Sequence, residues 1–438
     1  MSKTTETSEP ATEQPAKITR TLLESWATDP KGPVALHLKQ KLLPVESIDG
    51  DGGIIYPPTY ADIGYNIDTL SDGTRVALID SVGSQANRLE PIFKEKFEHS
   101  DLKSETIGKD WLVPPIEIVL WTEGCGECEI CKKSKREKNE TCAHPRKETR
   151  SLSDLAHRSA DAVVHASPTL GAEIAKAFNA LKRSGDAGLL CALAPASLLF
   201  GVWDSRGGSN EKRPRLVRSV IRAWDVEVLH AAAQFNSVWK ALSEEQQEVL
   251  QKEAKAKKMK LSEKGLADAP ATFRKKTNLH LEDGSPNPES RVLGGILVRG
   301  RIERDVTVNL VALRGIRGSD GPTGSETIAI RTYLLGLSLL AATADIDLFL
   351  REGCNLRFAD EEDVWYSVPR RGVPSRIGLT DKSARSFVLD LATAGRNHFK
   401  VKWPKADGKD LALEHEFNLA EAKKLLAKKD DDPVEEEK

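Results

Sequence analysis

The chain has 438 residues, of which 39% are hydrophobic and 30% are charged. These proportions are typical of a soluble globular protein, with enough chain for two or three domain-sized units or for one core with long insertions. No apolar run approaches the ~20 residues that span a bilayer, and the N-terminus lacks the hydrophobic core of a signal peptide. We therefore expect a cytoplasmic protein that has no membrane partner.

The formal net charge of −2 is an average over blocks of opposite sign. Residues 430–438 form an acidic tail, whereas several internal segments are basic. Local fields decide what a surface attracts, so the small net charge does not exclude a polyanionic ligand. The basic clusters lie at 132–150, 213–222, 252–260, 274–276, 299–304 and 370–376.

The first half of the chain alternates short strands with helices. Residues 1–17 contain little to bury and are predicted to be a disordered tail. Residues 18–41 show a helical period that Pro30 and Pro33 interrupt. The elements predicted next are a buried strand at 74–80, a helix at 85–97, a strand at 116–121, helices at 152–165 and 172–183, and a strand-rich pair at 189–203 and 215–229.

The second half is predicted to complete one core, spanning 18–429, with a charged helical insertion at 243–290. Strands at 292–298 and 306–313 read as a hairpin with a basic loop at its tip. In that loop Arg299 and Arg301 are candidate contacts for a ligand. Helices are predicted at 326–344, 382–394 and 418–428. This irregular order favours an α+β fold with insertions over a doubly wound sheet.

Four cysteines form a compact motif with two residues between each of the first three and ten before the last. Thiolates at such spacings can close a tetrahedral zinc site, and the metal would order a loop at 121–150 that has little else to bury. The pattern resembles the structural zinc lobe of medium-chain alcohol dehydrogenases, with a longer last spacing. The alternatives are an iron–sulfur cluster and unliganded thiols. The predicted structural zinc ligands are Cys125, Cys128, Cys131 and Cys142.

A run of arginines between 201 and 225 is the strongest candidate for binding a polyanion. If this run is a strand, Arg218 and Arg222 share a face; if it is a helix, Arg215 joins them. Guanidinium groups bind phosphates in a bidentate manner, although surface arginines can equally pair with nearby acids. The candidate phosphate ligands of this run are Arg206, Arg213, Arg215, Arg218 and Arg222.

Two further motifs leave alternatives open. The segment 80–88 joins a buried strand to a helix that Ser84 is expected to cap, and its free N–H groups and polar side chains suit either an anion or an ordinary solvated helix start. In the second motif, His157 and Arg158 suggest either acid–base chemistry on RNA or a structural and RNA-contacting role.

Four stretches in this order resemble the guide-RNA backbone subunit of type I-G (formerly type I-U) CRISPR effector complexes, a member of the RAMP superfamily. They are IYPPTY at 55–60, LIDSVGSQANR at 78–88, DLAHRSADA at 154–162, and APASLLFGVWDSRG with RPRLVRSVIR within 194–222. The resemblance spans about residues 36–318 and implies an RRM-like, ferredoxin-type core with insertions. It also implies RNA contacts from Ser81, Ser84, Gln85, Asn87, Arg88, His157 and Arg158.

The same resemblance implies a non-catalytic subunit that polymerises head to tail along one crRNA. Its partners would be the crRNA, target DNA paired with the guide, copies of itself and other effector subunits. An alternative is a guide-processing ribonuclease that uses His157. A zinc-dependent oxidoreductase is less favoured because no Gly-x-Gly-x-x-Gly follows a predicted strand. A scaffold that binds only protein is a third class.

Overall fold

A computed structural model describes most of the chain between residues 15 and 427. The cysteines at 125 and 142, Arg206, most of the segment 260–291 and the acidic tail lie outside the described residues. The described ranges are 15–47, 52–60, 63–100, 107–121, 128–132, 146–205, 208–231, 238–259, 261, 266, 292–359, 363–380, 382–399 and 413–427.

Helices lie mainly in the segments that the apolar periodicity selects. In chain order they are α1 Arg20–Thr28, α2 Val82–Leu89, α3 Glu129–Lys132, α4 Ala162–His165, α5 Pro168–Ser184, α6 Gly188–Leu193, α7 Pro195–Phe200, α8 Glu244–Ala256, α9 Leu310–Gly315, α10 Ser325–Ala342, α11 Lys382–Phe399 and α12 Leu419–Ala427. Short 3-10 turns occupy Glu90–Lys94, Leu152–Asp154, Arg158–Ala160 and Val238–Ala241.

Strands are mostly short and belong to several sheets. In chain order they are β1 Ala35–Pro44, β2 Gly53–Ile55, β3 Thr59–Tyr60, β4 Gly64–Tyr65, β5 Ile67–Thr69, β6 Arg75–Asp80, β7 Phe97–Ser100, β8 Ile107–Asp110, β9 Ile116–Trp121, β10 Lys147–Ser151, β11 Val202–Trp203, β12 Lys212–Arg213, β13 Val217–Trp224, β14 Val226–Ala231, β15 Val292–Val298, β16 Ile302–Asn309, β17 Leu348–Arg351, β18 Cys354–Phe358, β19 Val364–Val368, β20 Ser375–Ile377 and β21 Leu413–Glu416.

A central antiparallel sheet organises the molecule. Its middle strands lie in the order β1–β16–β13–β6, and β18 and β19 pair with successive parts of the free edge of β1. In register, Arg218 lies opposite Thr307 and Arg222 lies opposite Glu303. Helices and strands thus mix without regular alternation, as the predicted α+β class requires.

One face of this sheet is buried by helices and the other is partly exposed. Side chains of β16 alternate strictly between buried and half-buried positions, as expected for a strand with one covered face. Helices α2 and α10 lie on the covered face, where Gln85 and the carbonyl of Ala342 reach β16. Polar side chains of β1, β13 and β16 occupy the other face, which we call the open sheet face.

Helix α10 is apolar on nearly all sides because it runs through the core between the sheet and helix α11. A Cβ on Gly336 would lie 2.7 Å from the backbone nitrogen of Ala392, so glycine lets the two helices approach closely. None of the helices in the described part of the chain combines the length and the apolar composition that crossing a bilayer requires.

Several sequence-based predictions hold, and two fail because tertiary burial overrides local periodicity. Residues 35–44 form strand β1 and not the second half of a helix, because Leu36 and Leu38 point into the core while the residues between and beside them are half-buried or exposed. Residues 188–200 form helices α6 and α7, where we predict a strand. There a continuous apolar run is buried on all sides, and such a run does not distinguish helix from strand.

The predicted hairpin with a basic tip is also wrong. Strands β13 and β14 are consecutive in the chain, as are β15 and β16. Because β13 pairs with β16 and β14 pairs with β15, all antiparallel, the four strands form one long two-stranded ribbon. Residues 299–301 are a bend in the middle of this ribbon, where the amide of Arg299 donates to the carbonyl of Asp225. In the described residues the pairing of β14 with β15 extends to Ala231 and Val292.

Arg304, predicted to lie in that loop, is instead fully buried in β16. Its Nε donates to Gln85 Oε1 at 3.1 Å and to Ser219 Oγ at 3.2 Å, and its Nη1 donates to Gln40 Oε1. Burial lowers the pKa of the Arg304 guanidinium to about 10, and the carboxylates of Asp363 and Asp345 oppose that shift. The guanidinium therefore joins three elements beneath the sheet and is closed to an external ligand.

Candidate functional site

The structure divides the predicted arginine run between two surfaces. Arg213 belongs to strand β12 and Arg215 follows it, and both line a cavity of about 450 Å³. Arg218 and Arg222 lie on β13, on the open sheet face, and do not line that cavity. The run is therefore not one row on one element. Arg206 lies outside the described residues.

The cavity, which we call the Arg158 cleft, unites two motifs that lie far apart in the sequence. Its walls come from the turn at 156–158, from the end of α7 and from the β11–β12 hairpin. Among the residues that the structure describes, the lining contains five basic residues, one tryptophan and no acid. These six residues are His157, Arg158, Trp203, Lys212, Arg213 and Arg215.

Arg158 is the best-fixed cation of this cleft. Its backbone is left-handed, with a φ of 53°, a conformation that costs a non-glycine residue of order 1–3 kcal/mol. The side chain is only 7% exposed, and its Nε lies 2.6 Å from Glu90 Oε2. By contrast, Nη1 and Nη2 have only long contacts, each of 3.4 Å, with Gly201 O and Asn87 Oδ1. The outer edge of the guanidinium is thus only weakly hydrogen-bonded inside the protein.

The compensating charge on Glu90 is itself weakened by burial. Burial raises the pKa of the Glu90 carboxyl to about 8, and the adjacent Arg158 opposes this rise. Arginine remains protonated throughout the physiological range. The protonation state of Glu90 therefore affects how much of the Arg158 charge is compensated inside the protein.

Arg215 brings a second guanidinium toward the first. Its pKa lies below the ordinary value because of burial, with repulsion from Arg158 as the second cause. Gly201 makes this approach possible, since its φ is 81° and a Cβ there would lie 2.9 Å from Arg215 Cγ. Like charges held together repel each other, and an anion between them would relieve that repulsion.

Arg213 and Lys212 complete the basic lining. Arg213 forms a half-exposed ion pair with Glu211 at 2.8 Å, a type of pair that contributes little and exchanges readily. Lys212 Nζ lies 5.4 Å from the centroid of the Trp203 ring. His157 is exposed, and its backbone amide donates to Asp161 Oδ2 at 3.4 Å. A single stretch of sequence does not reveal this grouping, and our sequence analysis missed Trp203 and Lys212 as site residues.

The open sheet face is charged but largely self-compensated. Glu303 lies 2.8 Å from Arg301 Nε and 3.9 Å from Lys39 Nζ, and Asp305 lies 3.4 Å from His37 Nε2. The hydrogen bond from His37 is the main cause that lowers the pKa of Asp305. Two acids on the middle strand thus offset the flanking cations. This surface offers a phosphate chain less net charge than the cleft does.

The predicted contacts from segment 80–88 are mostly used inside the protein. Ser81, and not Ser84, caps helix α2, accepting from the amide of Ser84 at 3.3 Å. Gln85 is fully buried, donating to Asp80 and accepting from Arg304, so it faces no ligand. Arg88 contacts Asp80 at 3.1 Å and two backbone carbonyls of the 349–350 segment. Asn87 remains exposed beside Arg158.

The two bend arginines keep exposed positions. Arg299 pairs with Glu227 at 3.0 Å, and the guanidinium of Arg301 lies 4.7 Å from the centroid of the Trp224 ring. Neither residue lines the Arg158 cleft. Arg299 and Arg301 therefore form a basic patch on the ribbon that is separate from the Arg158 cleft.

Only two of the four predicted zinc ligands lie within the described residues. Cys128 precedes helix α3 and Cys131 lies within it, whereas Cys125 and Cys142 lie outside the described residues. Among the residues that the structure describes, no group of three or more His, Cys, Asp or Glu residues is arranged to hold a metal ion.

Comparison with known proteins gives one family match. The model of a family described as CRISPR-associated protein GSU0053 matches residues 36–228. The matched segment begins in strand β1, contains every residue that lines the Arg158 cleft, and ends in strand β14. No curated protein matches the chain.

Proposed function

We propose that this chain, whose residues 36–228 match the model of the CRISPR-associated GSU0053 family, is a Cascade-type RAMP subunit and the one that holds the guide RNA. The observation that carries this proposal is the Arg158 cleft. It gathers five basic residues with no acid in its lining, inside the segment that matches the family. Neighbouring guanidinium groups whose outer donors are weakly hydrogen-bonded suit the repeated phosphates of a single RNA strand.

The connectivity of the central sheet supports an RRM-like core. Strand β1 is followed by helices, then by the adjacent pair β13 and β16, then by helix α10, and finally by β18 and β19 at the other edge of β1. This is the β-α-β-β-α-β order of ferredoxin-like folds, with strands β5 and β6 added beyond β13. Such sheets serve many single-stranded RNA-binding proteins.

Backbone binding fits a subunit that accepts guides of any spacer sequence. Phosphate contacts position a nucleic acid but carry no sequence information, and base pairing can then read the target. We propose that cytoplasmic copies of the chain line up along one crRNA, together with other effector subunits, while target DNA pairs with the guide. In this role the chain is non-catalytic, and His157 contributes a contact to RNA.

The test is binding of the purified protein to its guide transcript across a salt series. We expect the logarithm of affinity to fall linearly with the logarithm of salt, by about 0.7 per phosphate contacted. A transcript with a scrambled spacer should bind equally well, and fluorescence anisotropy measures both. Binding that is absent, or that is insensitive to salt, contradicts the proposal. Cleavage of repeat RNA that disappears in His157→Ala would instead favour the ribonuclease.

We also propose that Cys125, Cys128, Cys131 and Cys142 bind one structural zinc ion. Their spacing supports this, because short intervals between thiolates permit tetrahedral coordination that leaves no open position for catalysis. Metal analysis should find about one zinc per chain, and Cys128→Ser should lower that content. The matched control is Cys354→Ser, a buried thiol on strand β18 of the central sheet, which should retain zinc. Folded wild-type protein without zinc would refute this site.

A further inference from the structure

Trp203 is an aromatic residue of the Arg158 cleft that has a large exposed surface. The residue is 56% exposed, although indole rings usually bury most of their area. It lies on the short strand β11, directly opposite Lys212 of β12. An exposed ring beside several cations is thus held on a structured hairpin.

Hydrogen bonds within the β11–β12 hairpin fix the position of the indole ring. Its Nε1 donates to Asn210 Oδ1 at 3.1 Å, and Asn210 has a left-handed backbone with a φ of 54°. Asn210 is itself held, because its amide donates to the carbonyl of Asp204 at 3.1 Å. Asp204 is buried and accepts hydrogen bonds from Ser209. A network of hydrogen bonds therefore orients the ring before any ligand arrives.

We propose that Trp203 is a stacking platform for one nucleobase of a single-stranded RNA whose adjacent phosphate lies among the guanidinium groups of the Arg158 cleft. This inference rests on the proposed function and adds to it a specific base-contacting residue. Every nucleobase has a π face, so stacking is compatible with any spacer sequence. The binding unit would be one nucleotide, with its phosphate on Arg158 and Arg215 and its base on Trp203.

The surroundings of the ring favour a nucleotide over a protein partner. In the described part of the chain, the cleft beside Trp203 is lined by five basic residues and no acid, which favours a partner that brings negative charge and a flat surface together. A nucleotide has both features within one residue. Trp121 is a matched control because it is 51% exposed and lies beside the acid Glu416, with 3.4 Å between its Nε1 and Glu416 Oε1.

The experiment compares four proteins on two probes by fluorescence anisotropy. The proteins are wild type, Trp203→Ala, Trp203→Phe and Trp121→Ala. The probes are a fluorescein-labelled single-stranded RNA of mixed sequence and a strand of equal length with abasic positions throughout. Trp203→Ala should bind the normal RNA about 5- to 150-fold more weakly, the range for loss of one stacked base. Trp203→Phe and Trp121→Ala should stay within about threefold of wild type.

The abasic strand separates stacking from structural damage. Without bases there is nothing to stack, so Trp203→Ala should bind this strand as well as wild type does. The salt slope of Trp203→Ala on normal RNA should also match wild type, since no charge is removed. Equal binding of normal RNA by wild type and Trp203→Ala, or equal losses on both probes, overturns the stacking role alone. If wild type binds neither probe, the proposed function falls together with this inference.

Discussion

Replacing Arg213 and Arg215 together by glutamine should weaken RNA binding by about two orders of magnitude at low salt. Each lost charge-assisted hydrogen bond to phosphate costs about 1.5 kcal/mol or more, and about 1.4 kcal/mol corresponds to a factor of ten. The log–log salt slope should decrease in magnitude by about 1.4, because two phosphate contacts disappear. Glutamine keeps much of the side-chain length, so the hairpin should retain its fold. Affinity measured across a salt series checks both numbers.

A matched control removes the same charge elsewhere. Arg20 and Lys176 are exposed on helices α1 and α5, where each pairs with an acid within one turn. Changing both to glutamine alters the net charge equally, yet it should leave the affinity within about threefold, since salt screens distant charges. If the cleft variant and this control bind RNA alike, the Arg158 cleft is not the binding site.

The open sheet face is tested by Arg218→Gln combined with Arg222→Gln. We expect a smaller loss than for the cleft variant. Glu303 lies opposite Arg222 in the adjacent strand, and Arg222 already contributes to lowering the pKa of Asp305. An arginine whose charge is already partly neutralised by nearby carboxylates gains less binding free energy from a phosphate. Equal losses from both surfaces would mean that RNA extends across the sheet.

Arg304→Ala should lower the free energy of unfolding by about 3–5 kcal/mol. Removing one member of a buried charged network leaves its partners unsatisfied in a medium of low dielectric. Gln40 would lose a donor while remaining bonded to Asp363 at 2.8 Å, and Gln85 would likewise remain bonded to Asp80 at 2.7 Å. Urea unfolding, followed by circular dichroism, measures the change.

Arg301 supplies the control for this prediction. It lies three residues earlier in the same ribbon and is exposed over the Trp224 ring. Arg301→Ala should change the free energy of unfolding by less than about 1 kcal/mol, as most surface substitutions do. Equal effects of the two substitutions would show that the network beneath the sheet does not stabilise the fold. Arg304→Met should also destabilise, because it retains volume but not the donors.

The sequence identifies several elements whose physical signal is local. Strands at 75–80 and 116–121 and helix α10 are found close to their predicted places. Each contains an apolar run of a length suited to its state, ended by a turn or polar residues, so a short window contains the necessary information. The α+β class follows from the order of such elements alone.

Other predictions fail where distant residues decide the outcome. Gln85 is polar on a helix next to a turn, which by itself indicates a surface contact. Its burial depends on Arg304, which lies more than two hundred positions later in the chain. Arg304 in turn is predicted to be a loop residue because its neighbours are basic. In the structure it belongs to strand β16, opposite Ile221, and its side chain is buried. A buried polar group is stable only through its partners, and sequence proximity does not reveal them.

The amino-acid order by itself predicted the α+β class, the resemblance to a CRISPR-associated family and the candidate phosphate-binding side chains, since these predictions depend on composition, periodicity and contiguous motifs. Only the tertiary structure decided which cations act together. It placed Arg158 beside Arg215 and Trp203, and it separated Arg218 and Arg222 from them. Electrostatic energy depends on distance in space and on burial, and both become defined only when the chain has folded.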